Sequence, residues 1–116
     1  MPQSQRYCFS LSSAQAVTAP GPNYGGGTHA EGLKTIAIMA GSHAEGHASR
    51  AIGFSTHAEG SLTFAAMEGC HAEGARTNAL GPASHAEGHS TKTTHTASHA
   101  EGYGTTADAD FAHVEG

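Results

Sequence analysis

Seven times along this chain a histidine and a glutamate stand two residues apart, in HAEG at residues 29, 43, 57, 71, 85 and 99 and in HVEG at 113. An imidazole and a carboxylate so spaced can form a hydrogen-bonded ion pair, ligate a metal, or act as acid and base. The interval is fourteen residues throughout, without an insertion or deletion, so all seven pairs share one geometry. That equivalence argues against an active site, which needs one asymmetric pocket with divergent pKa values. No nucleophile sits with a base elsewhere, and the glycine run at residues 25–27 lacks the lysine of a phosphate loop. The chain is therefore expected not to be an enzyme. A single HxE offers no closed set of four ligands, so neither a metal nor a cofactor is expected.

The repeat also dictates the elements that carry these pairs. Each fourteen divides into two sevens of the form [ST]xAxGxx. The residue before each histidine is small (Thr28, Ser42, Thr56, Cys70, Ser84, Ser98, Ala112), and seven residues on stand Thr35, Ser49, Thr63, Thr77, Thr91 and Thr105. A heptad coiled coil needs large apolar residues at its seam, and these columns hold Ser, Thr, Ala and Gly. Each glycine would also cost a helix about 1 kcal/mol relative to alanine. With a period of two, the same columns project to one face of a five-residue strand, and two further residues turn the chain. Strand, turn, strand, turn in fourteen residues brings each strand back about 4.8 Å above its predecessor, parallel and in register. The fold class is all-β: a parallel β-roll, or β-solenoid, with two short strands per coil, covering residues 28–116.

Outward positions distinguish the two sheets. On the first strand they are always His and Glu: His29 and Glu31, His43 and Glu45, His57 and Glu59, His71 and Glu73, His85 and Glu87, His99 and Glu101, His113 and Glu115. On the second they vary freely, from Ile36 and Ile38 through Arg50 and Ile52 to Thr106 and Asp108. A face that keeps one chemistry faces one regular environment, most simply the same face of sister chains. The fourteen His and Glu residues are thus expected to form a self-interface that fixes register. Arg50, Phe54, Phe64, Arg76, Lys92 and Tyr103, on second strands and turns, are expected to face a receptor or matrix. Pairing at the interface would raise the histidine pKa values and depress those of glutamate, making assembly firmest between roughly pH 4.5 and 6.5. His47, His89 and His95 lie outside the column and are expected in turns or on the surface. Cys70 is expected to be an inert buried thiol. Met39 and Met67 are expected to pack over Gly53 and Gly81 of neighbouring coils.

The residues 42–46, 56–60, 84–88 and 98–102, with the AxG half-repeats at 51–53 and 79–81, resemble the YadA-like head repeats of trimeric autotransporter adhesins. They are closer still to the SHAEG variety found in phage tail-fibre and surface proteins. The resemblance covers residues 28–116. It implies a left-handed, homotrimeric roll serving as an adhesive head or fibre shaft, at the cell or virion surface, with a host-surface receptor or extracellular matrix as partner. Where that family has aliphatic residues flanking the alanine, this chain has His and Glu, so an apolar trimer seam is not expected. The chain is expected to be a segment of a longer fibre. Alternatives are a self-assembling filament and a metal- or pH-responsive His/Glu array.

Composition excludes other classes. Only 37% of the 116 residues are apolar and 6% aromatic, with sixteen Gly and no Trp, so an ordinary Leu/Ile/Phe core is not available. Five Lys and Arg give no footprint for nucleic acid or anionic lipid. No stretch of apolar residues is long enough to span a membrane, and the first residues lack the form of a secretory signal. Residues 1–27 form a separate N-terminal cap or linker, with a strand expected at 6–11 (RYCFSL) and turn material at 19–27 (APGPNYGGG).

Overall fold

The computed structural model describes residues 15–16 and 27–116. Its strands are β1 (Gln15–Ala16), β2 (His29–Leu33), β3 (Ile36–Ala37), β4 (His43–His47), β5 (Arg50–Ala51), β6 (His57–Ser61), β7 (Phe64–Ala65), β8 (His71–Ala75), β9 (Asn78–Ala79), β10 (His85–His89), β11 (Lys92–Thr93), β12 (His99–Tyr103), β13 (Thr106–Ala107) and β14 (His113–Glu115). The odd-numbered strands make one seven-stranded sheet and the even-numbered strands the other. Every pairing is parallel, and from β2 onward each residue lies beside the one fourteen positions later: His43 beside His57, Ala44 beside Ala58, Glu45 beside Glu59. The chain is an all-β, parallel β-solenoid of about six turns.

The two sheets are unequal. The HAEG strand runs for five residues and starts at the histidine, whereas the second strand is only two residues long. Between them the chain turns on one residue in the left-handed region, seen at Lys34, Ala48, Leu62, Arg76 and Ser90 with φ of 58 to 60°. A second such column closes the coil at Gly41, Ser55, Gly69, Ala83, Ala97 and Phe111. Conversion to left-handed geometry at a single position replaces the two-residue turn that period-two spacing suggests. Hydrogen bonding between coils continues through these corners: Leu62 N–H donates to His47 O and Arg76 N–H to Ser61 O, both at 2.8 Å. Turns as well as strands are therefore laddered, which satisfies backbone groups that a buried corner would otherwise leave unpaired.

The core is a set of small-residue columns. Ala30, Ala44, Ala58, Ala72, Ala86 and Ala100 on the first sheet, and Ala37, Ala51, Ala65, Ala79, Thr93 and Ala107 on the second, have no exposed surface. The preceding Ser and Thr columns are buried between them. Several hydroxyls bond back to the chain, as Ser49 Oγ does to Glu45 O at 2.8 Å and Ser84 Oγ to Gly81 O at 2.7 Å. Thr35, Ser42, Thr63, Thr77 and Thr91 instead carry buried hydroxyls with no hydrogen-bond partner. Cys70 takes a Ser position with its thiol 3.2 Å from Ala79 O, and burial pushes its pKa up.

The HAEG glycine has a different role from the inward small side chain expected of it. Gly60 has φ of 117°, and a Cβ built there would lie 2.0 Å from the carbonyl oxygen of Gly74. The column is glycine because the backbone of one coil occupies the space a side chain would need. Gly53 is similar: its nearest neighbours are the backbone of Ala66 and Met67, while the Met67 side chain is exposed. The expected packing of Met67 over glycine is thus corrected to backbone over glycine. Of the three histidines expected in turns or on the surface, His95 is exposed in a closing turn and His47 is exposed, but His47 and His89 each end a HAEG strand. In the N-terminal segment, β1 pairs with β3 through Gln15 and Ile36. The strand expected at 6–11 lies outside the described residues, as does the turn at 19–27 apart from Gly27.

Two substitutions test this packing. Gly60→Ala, which places a methyl against the next coil's carbonyl, is expected to cost about 3 kcal/mol or more in denaturant unfolding. Thr77→Val keeps the shape and removes an unpartnered buried hydroxyl, so it is expected to gain about 1 kcal/mol in the same measurement.

Candidate functional site

The in-register ladder places the seven histidines in one column and the seven glutamates in another. Imidazole rings from His29 to His113 stack in sequence with centroids 4.6 to 4.8 Å apart and planes within 21°. The strand spacing of about 4.8 Å fixes this distance; no ring chooses it. Two residues of extended chain bring each glutamate back to the same face as its histidine. Nε2 of His29, His43 and His57 is hydrogen-bonded to Oε1 of Glu31, Glu45 and Glu59 at 2.6, 2.6 and 2.5 Å. In the next three coils the same atoms lie 2.7, 2.8 and 3.0 Å apart, for His71–Glu73, His85–Glu87 and His99–Glu101. Those contacts are ion pairs when the histidine is charged, but their direction is wrong for a hydrogen bond, and Nε2 of these three histidines is shielded from solvent. The side chains as wholes are half-buried, with the paired histidines 31 to 36% exposed.

At His85 the electrostatics of the single chain run against the lift that pairing with glutamate would give. The His85 pKa is lowered: burial disfavours its charged form most, the positive His71 and then His99 add to this, and Glu87 and Glu73 only partly compensate. Stacking like on like places each interior imidazole between two others, a term that pairing within one strand does not reveal. In the single chain, protonation at this position therefore opposes the folded state; the window between roughly pH 4.5 and 6.5 concerns the association of chains.

Metal chemistry also changes when coils rather than strands are counted. Four overlapping sets each bring a donor from two histidines and one glutamate within 4.8 Å of one another: His57, Glu59 and His71; His71, Glu73 and His85; His85, Glu87 and His99; His99, Glu101 and His113. Consecutive coils supply the ligands that no single strand can.

The six residues expected to face a receptor do not form one surface. Arg50, Phe64 and Lys92 share one column of the second sheet, and the Arg50 guanidinium lies 5.1 Å from the centre of the Phe64 ring, a cation–π distance. Phe54 stands in the closing turn after β5, and Arg76 in the left-handed corner after β8. Tyr103 ends β12, on the His/Glu sheet, with its ring stacked 4.8 Å from that of His89. The His47, His89 and Tyr103 column was detectable from the period alone, since each stands four positions after a column histidine. At the last closing turns Thr94 Oγ1 donates to Asp108, His95 Nδ1 lies 3.4 Å from the same carboxylate, and Thr96 N–H donates to Asp110 Oδ1 at 3.1 Å.

The lowered His85 pKa sets a direction for stability. Above about pH 6.5, the ordinary histidine value, folded and unfolded states are both neutral at this residue and pH has no effect through it. As pH falls below that value the unfolded chain takes up the proton first, and stability is lost until the folded value is passed. Thermal melts from pH 8 to 5 are expected to show a falling midpoint, with a smaller fall in His85→Asn; a midpoint that rises on acidification would contradict it. Comparison with protein-family models, with curated proteins and with solved structures found no match, so the chemistry of this surface is argued from its geometry.

Proposed function

We propose that this chain is a structural segment of an adhesive fibre or head, on a virion or a cell surface. Three copies associate through their His/Glu sheets and turn their second sheets outward. The observation that carries this reading is the contrast between the two faces. One sheet presents an unbroken column of seven imidazoles flanked by carboxylates; the other changes from Ile36 and Ile38 to Thr106 and Asp108. A uniform half-buried face suits a repeated contact with identical neighbours, and a closed threefold ring is a form such contacts take. The carboxylates from Glu31 to Glu101 each place one oxygen on their own histidine and retain acceptor capacity for a neighbouring chain. Register follows from the same chemistry, because a slip of one coil leaves charged groups at the ends unpaired, a costly state at an interface.

The resemblance to YadA-like and SHAEG-type repeats supports the same assignment and adds left-handed winding. On this reading Arg50, Phe64 and Lys92 belong to the receptor- or matrix-facing side, and Arg76 and Phe54 to its edges. Tyr103 belongs to the border of the trimer face.

Solution mass decides the central point. Light scattering on the chain is expected to give three times the 11.7 kDa monomer mass. The double substitution His57→Ala, His71→Ala is expected to shift the assembly to monomer, while Arg50→Ala with Lys92→Ala leaves the mass at three chains. A monomer at all concentrations would overturn the assignment.

A further inference from the structure

We infer that the His/Glu column is a divalent transition-metal site that fills by pairs of coils, holding two ions per chain. This goes beyond the proposed structural role and uses the same face, so zinc count and chain mass are read separately in its test.

Three observations carry it. First, the four donor sets named above each combine two imidazole nitrogens with one carboxylate oxygen. That is a donor set suited to zinc, with a coordination position left for water. Second, Nε2 of His71, His85 and His99 is shielded from solvent yet makes no hydrogen bond, although a carboxylate stands within 3.0 Å of each. No hydrogen bond joins these nitrogens to the carboxylates beside them, and all three belong to the donor sets. Third, the rings stand on the outer face of the sheet, about a third exposed, and not in the packed core. A tetrahedral ion with bonds of about 2.0–2.1 Å holds its donors roughly 3.4 Å apart. Neighbouring rings 4.6 Å apart must therefore lean together on binding.

Counting follows from sharing. A neutral imidazole offers one lone pair, its other nitrogen keeping the proton, so each histidine serves one ion. Successive sets share His71, His85 or His99, and adjacent sets cannot both fill. Two separated sets can, so two of the four are occupied at saturation. Removing His71 deletes the first two sets and leaves two that compete for His99, hence one ion. Removing His99 leaves two that compete for His71, again one ion. Removing the central His85 deletes the second and third sets and leaves the first and fourth, which share nothing, hence two ions.

Calorimetric titration of the metal-stripped chain with zinc chloride at pH 7.5 tests this pattern. The expected stoichiometry is two per chain for the parent, one for His71→Ala and for His99→Ala, and two for His85→Ala. The off-column controls His47→Ala and His89→Ala are expected to keep two. Circular dichroism confirms that each variant is folded, and light scattering reports its mass independently, so a failed trimer assignment leaves the zinc count interpretable. No binding by the parent at micromolar zinc overturns the inference. So does a count that falls equally for every column histidine, His85 included, which marks unconnected surface binding.

Discussion

Everything in this molecule depends on a fourteen-residue closure repeated without error. A coil that short can return to its own sheet only if the space between the sheets is narrow, and Ala, Ser and Thr are the side chains that fit it. The closeness extends to the backbone: Gly74 O stands where a Cβ of Gly60 would be. The cost is borne at the corners, where Leu62, Arg76 and others sit at φ of 60°, a region that disfavours residues other than glycine by roughly 1 kcal/mol or more each. What offsets it is a hydrogen-bond ladder that runs through corner and strand alike. A single insertion would move every later column out of line, so the absence of insertions across residues 28–116 is a mechanical requirement of the stack.

A core of this kind is weak by the usual measure. Alanine burial contributes little per residue at about 25 cal/mol per Å², and five buried hydroxyls lack partners. Stability therefore grows with the number of stacked coils, each contributing its interface with the next. The same additivity makes side-chain chemistry cumulative. Whatever one His/Glu pair contributes, six more contribute at successive levels of the same face.

Much of this was legible before any coordinates, because a strict period identifies which residues stack whatever the backbone does between them. The His and Glu columns, the Ala and Ser/Thr interior and the parallel register all follow from it. Period-two counting failed where the backbone leaves extended geometry. It assigned Gly60 an inward side-chain role, although that position is set by a backbone approach. It gave equal strands, although a left-handed residue such as Arg76 ends the first strand late and leaves Asn78–Ala79 as the whole of the second. It placed His89 and Tyr103 in turns or on the outer side, although the extra strand residue carries both onto the His/Glu sheet. Spacing within one strand also could not reveal His71 and His99 as the neighbours that depress His85.

That last failure shows how charges act on one another along the column. Even in water's dielectric, two imidazolium charges 4.7 Å apart repel by about 0.9 kcal/mol, while an imidazolium and a carboxylate 2.8 Å apart attract by about 1.5 kcal/mol. One protonated histidine beside its own glutamate is therefore favourable. An interior histidine with both neighbours protonated meets about 1.8 kcal/mol of repulsion, against which stand its own carboxylate and those of the adjoining coils, as Glu87 and Glu73 do at His85. Protonation along the stack thus works against itself, as His71 and His99 do at His85 after burial has acted. An ion held between two rings, as inferred above, would use the lone pairs of both. On that inference a ladder made of identical units acquires a two-coil period when it loads, because neighbouring sets share a histidine.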